Sequence, residues 1–148
     1  MTEVDTAIMT LFNSTSGSPT PAHNSLYLAL YNTTIASYPR FFNEEAPQTT
    51  GLPNDGMPFV VFHNLSDIYE FEFVEDFENI LIQFTIRAKT IAEINSIYTK
   101  LDNLFNWCTL SISGYTHVYM RREQTHAKGK TDLFWSMPVD YRIYIEKT

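Results

Sequence analysis

Five carboxylates fall within nine residues, at Glu70, Glu72, Glu75, Asp76 and Glu78. Carboxylates at that density can share a proton for acid/base work or hold a divalent cation. Glu70 and Glu72 alternate with Tyr69, Phe71 and Phe73, which puts both on the polar side of a strand, where charges are ordinarily solvated. The other three read as a turn that lacks the alternating ligands and central glycine of a calcium loop. The histidines, His23, His63, His117 and His126, lie in different segments, and none stands at a metal-ligand spacing from another or from cysteine. Cys108 has no basic neighbour in sequence to lower its pKa, and the five glycines are scattered singly, so neither an activated nucleophile nor a phosphate loop is legible. No catalytic, cofactor or metal residue is assigned.

What the charges do show is segregation. Against the acidic strand and turn stands a basic group, Arg121, Arg122, Lys128 and Lys130. Opposite patches on one molecule allow head-to-tail contacts between identical copies, and these close into rings when the rotation permits. Glu70, Glu72, Glu75, Asp76, Arg121, Arg122, Lys128 and Lys130 are therefore the candidate subunit interface. The plainer alternative is that both groups are solvated hairpin ends.

The chain that must position them has 148 residues, 44% hydrophobic and 15% aromatic, enough for one core but not for two ordinary domains. A single domain over residues 1–148 is expected. The net charge of −7 argues against affinity for phosphate backbones or anionic membranes. No apolar run approaches the length of a membrane span, and the opening residues are neither basic nor apolar, so a chain made in the cytoplasm is expected. A lone cysteine makes no internal disulfide, and Cys108 reads as a buried thiol.

Val4, Ile8, Leu11 and Phe12 predict a short opening helix that ends near Asn13. Residues 14–24 read as an exposed loop, and Leu26 to Tyr31 is too short to classify. Ile35 to Phe42, interrupted by Pro39, suits an edge strand, and Ala46 to Gly56 is turn or loop. Strands are predicted at Phe59 to Phe62, buried on both sides, then over Tyr69 to Phe73 and Ile80 to Arg87 by alternation. Thr90 and Glu93 form a capping box for a helix whose apolar face runs from Ile91 through Ile94, Ile97, Tyr98, Leu101, Leu104 and Phe105 to Cys108. Thr109 to Arg122 and Leu133 to Lys147 read as a long hairpin with residues 121–132 as its arm, and Pro138 puts the last strand at an edge or beside a bulge. The fold class is α+β: a mostly antiparallel sheet with a C-terminal hairpin, packed on one main amphipathic helix and a short N-terminal one.

Several phrases of this sequence, taken together, resemble the small tail-completion proteins of long-tailed bacteriophages. They are PFVVFHNLS from Pro58 to Ser66, FENILIQF from Phe77 to Phe84, GYTH from Gly114 to His117, VDYR from Val139 to Arg142, and EAPQ from Glu45 to Gln48. The likeness spans about residues 35 to 147, in structural phrases rather than catalytic signatures. It implies a structural virion protein, a subunit of a hexameric ring that completes the tail tube and joins it to the head connector. The partners it implies are further copies of the chain, the tail-tube protein and the connector or adaptor proteins, with DNA passing the lumen without specific binding. It also implies assembly in the host cytoplasm and residence in the virion neck.

Two other readings stand beside it. A head-closure or adaptor subunit would differ in the partner it meets. A small ligand-binding or enzymatic α+β domain would use Tyr115, Tyr119, Phe134 and Tyr144 as a pocket lining, although aromatic cross-strand pairs are also ordinary sheet stabilisers.

Overall fold

The computed structural model describes residues 2–14, 21–31, 38–47, 52–72, 75–131 and 133–147; for residues 2, 14, 21–25, 54, 66–72, 75, 76, 117 and 118 it is the backbone that is described. Helix α1 (Thr2–Ser14) and helix α2 (Pro21–Leu30) open the chain. Strand β1 (Phe41–Asn43) and a 3-10 turn (Pro53–Gly56) precede the long strands β2 (Phe59–Glu72) and β3 (Glu75–Ala88). Helix α3 (Ile91–Phe105) follows, then β4 (Tyr115–Thr125), the two-residue β5 (Gly129–Lys130) and β6 (Trp135–Lys147). The six strands form one sheet in the order β1-β2-β3-β6-β4, with β5 paired to β6. Every pairing is antiparallel except the short parallel one between β1 and β2. The mixed α+β class and the C-terminal hairpin are as predicted.

Alternation sets the two faces. Ile80, Ile82, Phe84 and Ile86 of β3 and Met137, Val139, Tyr141, Ile143 and Ile145 of β6 are buried under the helices. Helix α3 presses Ile94, Ile97, Leu101, Leu104 and Phe105 into this layer. At its start the Thr90 hydroxyl accepts from the Glu93 N–H at 3.2 Å, the predicted cap. Phe12 of α1 stacks on Phe41 with ring centroids 4.2 Å apart, and Phe41 packs in turn on Phe62, Phe84 and Phe105. Short as it is, β1 thus brings a central ring of the core.

Four sequence expectations change. The loop at 14–24 is shorter: residues 15–20 lie outside the described residues, and Pro21 to Asn24 form the first turn of α2, where a proline is well placed because its missing N–H has no helical partner. The unclassified Leu26 to Tyr31 belongs largely to that helix. The predicted strands at Phe59 to Phe62 and Tyr69 to Phe73 are one strand as far as Glu72, carried across the polar residues between them by a bulge at Asn64/Ser66; residue 73 lies outside the described residues. Glu75, Asp76 and Glu78 are in β3, not in a turn.

The last strand is corrected too. β6 is central, between β3 and β4. Pro138 is tolerated because its carbonyl, and therefore its missing N–H, faces the β4 side just where that ladder runs out: the His126 N–H donates to the Pro138 carbonyl at 3.0 Å, one residue past β4. The bulges fall in β4 instead, at His117/Tyr119 and Arg122/Gln124. Residues 109–114, predicted as strand, are loop and turn, entered through Trp107 at φ 62° and left through Gly114 at φ 83°, a conformation that suits glycine.

Candidate functional site

The long strands carry the candidate charges to opposite ends of the sheet. Glu70 pairs with Phe77, and Glu72 with Glu75, so the backbone puts Glu70, Glu72, Glu75 and Asp76 at the closed end of the β2–β3 hairpin; their side chains lie outside the described residues. Lys128 and Lys130 are exposed at the other end, beside β5, where the Lys130 ammonium lies 5.5 Å from the Trp135 ring. That arm is tied down at its base. The Thr131 hydroxyl accepts from the Leu133 and Phe134 N–H groups, and Lys89 donates both to Asp55, at 2.6 Å, and to the Leu133 carbonyl. Strands of this length span roughly 40 Å, so the acidic and basic ends of one molecule do not meet.

The two arginines of β4 part company, because neighbours on a strand face opposite ways. Arg122 faces the helix side: its guanidinium donates to the Tyr98 hydroxyl and to Asp102 at 3.2 Å, and its N–H to the Asn106 side chain at 2.9 Å. It is engaged with α3, although its side chain stays 41% exposed. Arg121 lies on the open face, exposed, 5.6 Å from the Tyr119 ring.

That open face is built from the alternate positions of the same strands. Asp140 sits on it yet is only 3% exposed. Gln83 donates to one carboxylate oxygen at 2.9 Å, Gln124 to the other at 3.2 Å, and His126 lies 2.8 Å from that second oxygen. Next to it, Arg142 contacts Asn79 and pairs with Glu123 at 3.3 Å. Beyond the arginine, Phe77, Tyr144 and Tyr119 stack in a row across β3, β6 and β4, with centroid spacings of 5.1 and 5.5 Å. Trp107 extends the row at the outer edge, 6.2 Å from Tyr119 and 66% exposed.

The pocket expected from Tyr115, Tyr119, Phe134 and Tyr144 is not assembled. Tyr119 and Tyr144 stack on each other, Tyr115 bonds Glu78 at 3.1 Å, and Phe134 lies at the far end against Arg87. A cleft of about 310 Å³ beside α1 is lined by Glu3, Thr6, Ala7, Thr10, Ser111 and Ser113, which offers one carboxylate and hydroxyls but no base beside a nucleophile. Among the described residues no group of three or more His, Cys, Asp or Glu could hold a metal ion, and no helix is long and apolar enough to cross a membrane.

Perturbed groups lie inside. Burial pushes the Cys108 thiol up to about 12, with its sulfur 3.6 Å from that of Met120. Burial, and then a 2.7 Å hydrogen bond to the Asp102 carboxylate, hold the Tyr141 phenol protonated far above its ordinary range. Burial likewise raises the Asp5 carboxyl. Sequence reasoning missed Arg40, which is fully buried, donates through Nε to the Gly56 carbonyl, and lies against the Phe42 and Phe59 rings at 5.1 and 5.7 Å. It also missed Trp107, which the sequence pattern places inside the predicted helix but which lies beyond its observed end at Phe105.

No family model and no curated protein matches the sequence. Among solved structures the chain is similar to one described as "Virion of native gene transfer agent (GTA) particle". The TM-score is 0.70, the identity 7%, and the match covers 97% of each chain. The fold is therefore shared from end to end with a chain of that particle.

Proposed function

We propose that this chain is a structural protein of a phage-type virion, working without turnover as a subunit of a hexameric ring that completes the tail tube and joins it to the head connector. The observation that carries this reading is the end-to-end likeness to a chain of a virion particle. The reading is supported by the site: Asp140, Gln83, Gln124 and His126 are engaged with one another, Lys128 and Lys130 are exposed at one end, and Trp107 is exposed at an edge.

The charged ends have a natural place here. Heterologous contacts close a ring when the rotation permits, and a ring of copies standing side by side leaves one end of the strands on each rim. We therefore assign the acidic end, with Glu70, Glu72, Glu75 and Asp76, and the basic arm, with Lys128 and Lys130, to the proteins on either side of the ring. A net charge of −7 lets DNA pass through without adhering.

Light scattering of the purified protein over a concentration series, with negative-stain images of the large species, tests the reading. Closed rings are expected. Open fibres, or a monomer at every concentration, count against it.

A further inference from the structure

Resting on that ring reading, we propose that neighbouring copies join through one specific pair of flanks: Trp107, Tyr119 and Arg121 at the β4 edge of one copy against Tyr38, Glu44 and Glu45 at the β1 edge of the next. The argument begins with the backbone. Trp107 is at φ 62°, a left-handed conformation that costs a non-glycine residue on the order of 1 kcal/mol. The structure holds it there through a 2.7 Å hydrogen bond from its N–H to the Met120 carbonyl, while the adjacent Asn106 takes the Arg122 N–H. The outcome is an indole that is 66% exposed on a backbone held in place. Strain spent on holding the largest apolar side chain in water, in rigid surroundings, is the pattern of an interface anchor.

The same two hydrogen bonds say what kind of contact it is. β4 is the outer strand, and its outward-facing Met120 carbonyl and Arg122 N–H are the groups another strand would pair with. Both are occupied from within the chain. At this point of the edge a neighbour therefore docks on side chains rather than by pairing a strand.

Charge complementarity identifies the occupant as a second copy. Arg121 is exposed and, among the described residues, pairs with no carboxylate; the other arginines of this region are committed, Arg122 to Asp102 and Arg142 to Glu123. At the opposite edge Glu44 and Glu45 are exposed and pair with no cation among the described residues, beside Tyr38, which is 43% exposed and packs edge-on to Phe42. A cation with aromatics on one flank and carboxylates with an aromatic on the other fit each other and not themselves. The contact is heterologous, as a closed ring requires.

The test uses the full chain and four proteins: wild type, Trp107→Ala, Arg121→Glu, and Arg121→Glu combined with Glu44→Arg and Glu45→Arg. Thermal melts confirm folding of each, and sedimentation velocity gives the concentration at which half the chain is assembled. The expected result is a rise of tenfold or more in that concentration for each single variant, and recovery toward wild type in the charge-swapped one. A wild-type ring that both single variants leave unchanged, or a swap that restores nothing, overturns this flank assignment and leaves the ring reading standing. A wild type that never assembles overturns the ring reading and the contact together.

Discussion

Asp140 is the residue on which the open face turns. A carboxylate 3% exposed is held by two glutamines and a histidine from β3, from β4 and from just beyond it, so one side chain of β6 links the strands on both of its flanks. Replacing Asp140 by Ala removes the acceptor that Gln83, Gln124 and His126 share and should cost about 1–3 kcal/mol in urea unfolding, with Asp140→Asn costing less because it can still accept. Cys108 makes a second prediction at this scale. Its folded pKa of about 12 stands above the ordinary 9.0, so the folded thiol keeps a proton that the unfolded one loses. Stability from this group is therefore flat below about pH 9 and falls as pH rises from there toward 12. Tyr141 acts in the same direction at higher pH. Chemical unfolding at pH 7, 9 and 10.5 should show the decline, and iodoacetamide at pH 8 should label native Cys108 at least about a hundredfold more slowly than the urea-unfolded chain.

Elements with a strong period were legible in the sequence, and the rest were not, for physical reasons. β3, α3 and β6 each bury one regular stripe, and Ile82, Leu101 and Ile143 announce it. β2 reads as two strands in the sequence because its bulge at Asn64/Ser66 breaks the alternation that defines a strand. α2 was missed because its start, Pro21 to Asn24, is polar and loop-like in composition. The position of β6 inside the sheet could not follow from Pro138 alone, since the proline rule concerns the absent hydrogen bond and not the whole strand. Of the candidate site, the charge segregation was visible, but the diversion of Arg122 to Tyr98 and Asp102 depends on which way one strand residue faces. The edge closure by Asn106 and Trp107 was invisible, because a side chain capping a distant backbone leaves no periodic trace. Its removal has a predicted outcome. Asn106→Ala should lower stability by about 0.5–1.5 kcal/mol and, by freeing the Arg122 N–H on an outer strand, raise concentration-dependent aggregation measured by light scattering at constant temperature.

At the scale of the whole molecule, a two-layer α+β body presents three kinds of surface: a helical layer, an aromatic and arginine-bearing sheet face, and two ends of opposite charge. The likeness to a virion chain over its whole length, at 7% identity, shows how far this backbone can be kept while almost every side chain changes. Acidic residues grouped at one end of strands roughly 40 Å long, and lysines at the other, also make the chain an electric dipole directed along its strands. A dipole experiences a torque in the field of a charged neighbour before the two surfaces touch. The chain should therefore arrive at a partner already turned the right way round. The rate of capture, far more than the lifetime of the captured state, should fall as added salt shortens the reach of that field, and stopped-flow association at rising ionic strength would measure the slope.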